Sequence, residues 1–376
     1  MNSDVFITRT AAHLPLAPVD NEAIESVLGR IAGKPSRARR IVLRNNGIRT
    51  RHYALDPATG EAVMSNARLA AEAVRALGDT GAVDCLAAAT SCADQLVPGH
   101  GVMVHGELGW PQLEVVSLAG VCLAGTAALR YAAMAVACGA RRAVASASEL
   151  VSPLLHARHF EAEAEARVAA LEQHAEIAFE KDFLRWMLSD GAGAVLLESE
   201  PGEGPALRVC WIELFSNAHR QPACMYAGAE KTEDGGLRSW KDYAPEEWVR
   251  RSLFAVRQDV RLLNEHIAPV TILDPLAALR ERHGLSADQV DWFLPHISSM
   301  YFAPILARTL EEAGFAIPRE KWFTNLTSCG NTGSASPYIM LDALMRSARV
   351  RSGQRLLMYV PESGRFSSGF VLLEAV

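Results

Sequence analysis

Cys122 stands at a corner in the chain. The apolar run Val115-Val116-Ser117-Leu118-Ala119 leads through Gly120-Val121 to the thiol. Leu123-Ala124-Gly125-Thr126 leads out of it, and a helix of small and apolar residues is expected over 127–136. The unpaired N–H groups and dipole at a helix start favour an anion, so the placement predicts a reactive thiolate. Cysteines in apolar surroundings are ordinarily inert packing, so Cys122 needs partners. His296 is the first. The segment Asp291-Trp292-Phe293-Leu294-Pro295-His296-Ile297-Ser298-Ser299-Met300 reads as a buried strand followed by a helix. A histidine at the carboxyl end of such a strand is well placed to serve a site as a base. The other ten histidines, His156, His159 and His174 among them, mostly sit in polar or helical surroundings, where surface exposure is expected.

The elements that must position these groups follow a rhythm. Strands are expected at 5–10, 83–90, 113–118, 142–148 and 194–198, with a helix over 66–77 among them. Asp20 or Asn21 can cap a helix running to Leu28. The segment 40–52 reads as extended, broken at Asn46-Gly47. The alternation of strand and helix points to an α/β fold with helices on the faces of a sheet. Residues 154–186 depart from it. They are rich in Ala, Glu, Leu and His and lack Gly and Pro, which predicts a helix or helical pair.

The second half repeats the first. Gly193-Ala194-Val195-Leu196-Leu197-Glu198 matches Gly369-Phe370-Val371-Leu372-Leu373-Glu374 at an offset of 176. Ala124-Gly125-Thr126-Ala127 lies over Thr332-Gly333-Ser334-Ala335 at an offset of 208. Arg141-Arg142-Ala143-Val144 resembles Gln354-Arg355-Leu356-Leu357. The order of elements is therefore duplicated. The first half carries 32 extra residues, the helical stretch 154–186, and Pro201 to Pro205 is the expected boundary between halves 1–202 and 203–376. The repeat also sets the loop Asn325-Leu326-Thr327-Ser328-Cys329-Gly330-Asn331-Thr332-Gly333-Ser334-Ala335-Ser336 opposite the Cys122 loop. Asn331 falls one residue beyond the counterpart of Cys122, which makes it the third candidate.

Composition sets the boundaries. Hydrophobic content of 49% and charged content of 21% are those of a soluble globular protein. A net charge of −6 without a Lys/Arg-rich run argues against nucleic acid as a partner. No apolar run is long enough to span a bilayer, and residues 1–14 lack a signal-peptide pattern. The seven scattered cysteines have no metal-ligand spacing, so neither a metal site nor a disulfide framework is expected, and a reducing cytoplasm is the expected setting.

Five motifs in this order resemble the thiolase superfamily and, within it, the β-ketoacyl-ACP synthase III group. They are Gly47-Ile48-Arg49-Thr50-Arg51, Cys122 before its small-residue helix, Asp190-Gly191-Ala192-Gly193-Ala194, Pro295-His296, and Gly330-Asn331-Thr332-Gly333-Ser334-Ala335-Ser336. The resemblance spans nearly the whole chain. It implies a five-layered αβαβα fold built from two duplicated halves. It also implies a catalytic triad of Cys122, His296 and Asn331, and an acyltransferase activity. The thiolate would take an acyl group from a thioester. His296 and Asn331 would stabilise the enolate of a second thioester, a malonyl or β-oxoacyl unit, and a Claisen condensation would follow. The oxyanion hole would combine the Cys122 N–H with a donor from the loop before the last strand, at Gly364 or Arg365; one such donor is typically worth about 3 kcal/mol. Arg44 stands at the place of a phosphate-side arginine, and Ser298 is the second expected substrate or carrier contact. No cofactor is implied beyond the thioester substrates, and a homodimer is expected.

Three departures accompany the resemblance. The tryptophan and arginine that stack the CoA adenine in the housekeeping enzymes are missing: Arg40 stands where the first should be, and Asp182-Phe183-Leu184 where the second should be. Acyl carrier protein is therefore the expected acyl donor. Ser363-Gly364-Arg365 replaces a glycine triplet. The insertion 154–186 is either decoration or a wall over an acyl tunnel. Together these features resemble a subgroup that makes cyclohexanedione and dialkylresorcinol precursors. Two other readings stay open: an acyltransferase to oxygen or nitrogen, and a non-catalytic partner of another ketosynthase. An enolate stabiliser at Asn331 argues against the first, and the intact triad against the second.

Overall fold

A computed structural model describes residues 4–36, 39–160 and 184–376. Nine strands form one sheet: β1 (Phe6–His13), β2 (Cys85–Thr90), β3 (Glu114–Ala119), β4 (Arg142–Glu149), β5 (Gly191–Glu198), β6 (Leu207–Phe215), β7 (Trp292–Pro295), β8 (Arg355–Glu362) and β9 (Ser367–Ala375). Their order is β7-β8-β9-β6-β1-β5-β4-β2-β3. The two halves mirror each other about the β1–β6 junction, which is a short pairing of Phe6 with Arg208 and Ile7 with Leu207. Outward from it run β1-β5-β4-β2-β3 on one side and β6-β9-β8-β7 on the other. A parallel bridge between Phe293 and Trp322 occupies the place that β3 holds in the first half. The expected boundary at Pro201–Pro205 falls between β5 and β6.

Alternation along the strands sorts side chains into layers. In β4, Ala143, Ala145 and Ala147 face a central core, while Val144 faces an outer one. In β8, Leu356 and Met358 face the same central core, and Leu357 and Tyr359 the opposite outer one. Two helices fill the centre: α3 (Ala124–Ala137) and α6 (Ser336–Arg346). The outer face of the first half is covered by α1 (Asn66–Arg75), with α2 (His100–Leu108) beside it. The outer face of the second half is covered by α4 (Val260–His283) and α5 (Phe302–Glu312). Helix, sheet, helix, sheet, helix is the five-layered αβαβα arrangement. The alanine-lined face of β2 and β4 lets α3 lie close to the sheet, because a methyl group is all that stands between backbone and helix.

Three local expectations are corrected. The segment expected to be extended at 40–52 is instead a helix, Arg39–Asn46, then a two-residue strand, Thr50–Arg51. Val42 and Asn46, four residues apart, are its buried positions, and the Asn46 amide holds the Trp186 carbonyl at 3.0 Å. Helix α3 begins at Ala124, three residues earlier than expected. Strand β5 begins at Gly191, where a turn is expected, because Asp190 anchors its start by accepting the N–H groups of Ala54, Val151 and Ser152. Most of the expected helical insertion, 161–183, lies outside the described residues. Its near end is the short helix Ser152–Leu155 and a single 3-10 turn at Ala157–His159.

Candidate active site

The two duplicated loops meet back to back in the central layer. Gly125, in the first turn of α3, lies against the Ser334 carbonyl so closely that a Cβ there would stand 2.2 Å from that oxygen. Tyr338 of α6 donates its hydroxyl to the Gly125 carbonyl at 2.7 Å. The Asn331 loop is pinned from the other side: its N–H donates to Met187 O, and its carbonyl accepts the Ser189 N–H, both at 2.9 Å. This contact requires glycine at 125, and it sets the thiol and the amide beside one another.

Cys122, His296 and Asn331 line one cavity. Its other polar wall groups are Gln258, Ser298 and Ser363, and Leu184, Met187, Met225, Leu263, Ile267 and Pro361 make the apolar remainder. A second cavity shares His296, Ser298, Ile267 and Pro361 and continues to Phe302 and Leu306. His296 is held by its main-chain N–H on the Tyr359 carbonyl at 2.8 Å, extending the β7–β8 ladder one residue past the strand. Burial pushes its pKa down to about 4, so the imidazole is neutral near pH 7. Its Nε2 is buried without a partner among the described residues. The Asn331 Oδ1 accepts the Gly333 N–H at 3.0 Å. That bond orients the amide and leaves the Nδ2 end as the donor available to a ligand.

The expected thiolate is corrected. Burial pushes the Cys122 thiol above its ordinary range, and the carboxylates of Glu149 and Glu362 push in the same direction. The start of α3 does not overcome them, so the resting group is a thiol. Acylation of this residue therefore needs a base, and the neutral imidazole of His296 is the one on the same cavity wall.

The expected oxyanion donors are corrected in part. Glu362, the last residue of β8, braces the turn into β9. Its Oε1 accepts the Gly364 N–H and its Oε2 accepts the Ser367 N–H at 3.1 Å. A carboxylate thus holds the turn where the resemblance leads one to expect a glycine triplet. The Gly364 N–H is taken, so it is not available to a substrate. The Arg365 N–H has no acceptor among the described residues and stays a candidate, while its guanidinium reaches away to the Gln221 carbonyl at 3.0 and 2.8 Å. Arg44 is exposed on the helix Arg39–Asn46 and is not part of the cavity wall. Ser298 is on that wall.

Residues 280–372 match the family model described as 3-oxoacyl-[acyl-carrier-protein] synthase III C terminal. That segment runs from the end of α4 through His296 and Asn331 into β9, and the relatives found by sequence extend the likeness over the rest. Along nearly its whole length the chain is similar to β-ketoacyl-ACP synthases III. A β-ketoacyl-[acyl-carrier-protein] synthase III of Bordetella petrii is 27% identical over 375 residues, covering 97% of this chain and 96% of the relative. Among solved structures, the tetronic acid condensing enzyme AbyA1 superposes with a TM-score of 0.72 at 21% identity, over 98% of this chain and 99% of the other. Xanthomonas campestris OleA, solved with lauric acid and lauroyl-CoA, gives 0.72 at 19% identity, over 99% of both chains. These superpositions bear out the five-layered fold. Among the described residues no cluster of His, Cys, Asp or Glu could hold a metal ion, and no helix is long and apolar enough to cross a membrane.

The sequence reading missed the carboxylates. Its strand over 142–148 stops one residue short of Glu149, which is buried with 2% exposure. A charge closing a strand of alanine and serine was the signal. His100 was also missed: it is buried beside the Ser148 hydroxyl at 3.2 Å rather than exposed. Gln258 and Met225 enter the wall through a short pairing of strands that has no hydrophobic pattern to announce it.

Proposed function

We propose that this chain is a ketosynthase that loads an acyl group on Cys122 and joins it to a second acyl thioester by Claisen condensation. The observation that carries the reading is one cavity wall holding a thiol, a neutral imidazole whose Nε2 has no partner among the described residues, and an amide oriented to donate. Cys122 Sγ attacks the thioester carbonyl, and His296 takes its proton and passes it to the departing carrier thiol. The Cys122 N–H is the candidate donor to the oxygen on which negative charge develops, with the Arg365 N–H the candidate second donor. In the second half-reaction the His296 and Asn331 Nδ2 hydrogens donate to the thioester oxygen of the second substrate. Loss of CO2 from a malonyl unit, or of a proton from a β-oxoacyl unit, leaves an enolate. Its carbon attacks the acyl carbonyl, a carbon–carbon bond forms as the carbon–sulfur bond breaks, and Cys122 Sγ leaves as a thiolate that takes up a proton, from solvent on the malonyl route or the one lost by the β-oxoacyl unit.

The substrates in this reading are carried by acyl carrier protein, and the setting is specialised polyketide, alkylresorcinol or cyclohexanedione biosynthesis in the cytoplasm. AbyA1, a tetronic acid condensing enzyme of the same fold, supports the condensation. A second copy of the chain would pair along β3, an edge strand bonded on one side only and with half-exposed side chains. The test is product analysis with acyl-carrier substrates. A lengthened carbon skeleton, with CO2 released when malonyl is supplied, supports condensation; an ester or amide of the loaded acyl group refutes it. Equal efficiency with the matching acyl-CoA would refute the carrier-protein assignment.

A further inference from the structure

Glu149 is a buried carboxylate that the proposed reaction does not use. Four donors converge on one of its oxygens. Oε1 accepts the Ser91 N–H at 3.0 Å, the Ser91 hydroxyl at 2.6 Å, the Ser334 N–H at 3.1 Å and the Ser334 hydroxyl at 2.5 Å. Oε2 is buried with no partner among the described residues. The side chain also fixes Gly333. That residue sits at φ +51, and a Cβ on it would stand 3.0 Å from Glu149 Cγ and 3.1 Å from Oε1.

These contacts tie three segments of chain: the loop leaving β2, the end of β4, and the two residues just past Thr332. The last of these belong to the opposite half of the molecule. Glu362 ends β8 as Glu149 ends β4, both being the eighth residue of equivalent strands. Yet among the described residues Glu362 bonds only to its own loop, at Gly364 and Ser367. Of the two, Glu149 reaches across. What it holds there is the Gly333-Ser334 unit, and the Gly333 N–H is the group that orients the Asn331 amide. Both carboxylates also lie close enough to Cys122 to raise its thiol.

We propose that Glu149 is a positioning residue for the second half-reaction: by clamping Gly333 and Ser334 it holds the Asn331 amide in its donating orientation across from Cys122. The proposal rests on the ketosynthase reading, in which Asn331 acts on the enolate and not on acyl transfer. A misplacement of about 1 Å at such a donor costs on the order of 100-fold in rate. A residue that merely supports the fold would lower both half-reactions together, with the fraction of folded protein.

The test separates the half-reactions. Acylation of Cys122 is followed by intact mass with an acyl-carrier thioester, and condensation by product formation from the pre-acylated enzyme. For Glu149→Ala the expected result is acylation within about threefold of the unmodified protein, with condensation lower by about 30–100-fold. Glu149→Gln, which keeps an acceptor oxygen for Ser91 and Ser334, should recover most of the condensation. If Glu149→Ala does not fold, Ser334→Ala removes one donor and should show the same split at smaller size. Equal losses in both half-reactions, or no loss of condensation in any of these variants, would overturn the proposal. Failure of the unmodified Cys122 to become acylated would instead overturn the ketosynthase reading, and the positioning role with it.

Discussion

The two halves of this molecule share a scaffold and divide the chemistry. Each has a loop at the start of a central helix, and the loops touch at Gly125 and Ser334. The first-half loop presents a thiol. The second-half loop presents an amide whose oxygen is already occupied by the Gly333 N–H. The strands that follow the two central helices end alike, on Glu149 and Glu362, and the two glutamates do different work: one crosses to the other half, and the other braces its own turn. Duplication therefore supplied two equivalent loops beside one cavity; one carries a candidate nucleophile, and the other, one residue beyond the counterpart of that thiol, a donor. The difference also shows that a helix start is not enough to ionise a thiol. Around Cys122, burial and two carboxylates outweigh it.

Exchanging roles between the halves should fail most severely at the thiol. Cys122→Ala is expected to lower product formation by on the order of 10⁴-fold or more, measured by product chromatography. A smaller effect would make this chain the non-catalytic partner of another ketosynthase. Asn331→Ala should cost on the order of 10²–10³-fold in condensation, as loss of an oriented donor does, while Cys122 still becomes acylated. Equal loss of both half-reactions would erase the division between the loops.

The imidazole gives a pH test. With its folded pKa lowered to about 4 by burial, His296 binds fewer protons in the folded chain than in the unfolded one between about pH 4 and 6.5. Its contribution to stability is therefore present above 6.5 and lost as pH falls toward 4, with a span on the order of 3 kcal/mol. Denaturant midpoints across that window should fall on acidification and flatten in His296→Gln. The condensation rate should show no acid limb at pH 6.5 from this group, and a limb there would contradict a buried neutral imidazole. The smallest effect is expected at the contact between halves. Gly125→Ala forces a methyl against the Ser334 carbonyl and should cost about 1–3 kcal/mol of stability, as overpacking does. An unchanged melting temperature would mean that the loops do not abut.

Much of this comparison was legible in the chain. Duplication was readable because sheet strands and small-residue helix starts leave short, ordered strings, such as Ala124-Gly125-Thr126-Ala127 over Thr332-Gly333-Ser334-Ala335. The placing of Asn331 opposite Cys122 followed from it, while the α/β class followed from the alternation of strands and helices and the five layers from the family resemblance. His296 was readable because it closes a buried apolar strand. The helix Arg39–Asn46 was not, since only two of its positions are buried and the rest look like any polar segment. The protonated state of Cys122 was not readable either. It depends first on burial and then on Glu149 and Glu362, which lie 27 and 240 residues away in sequence and come near only through the sheet. The closing of the Gly364 N–H by Glu362 is likewise a matter of turn geometry that no motif encodes.

The central claim is that Cys122 carries the acyl group. Intact mass spectrometry of the protein with a panel of acyl-carrier thioesters tests it most directly, with peptide mapping of any adduct. The account predicts a single acyl increment on the peptide containing Cys122, absent in Cys122→Ala and cleared when the second thioester is added. An increment on another residue, or none with any thioester that the enzyme turns over, would contradict it.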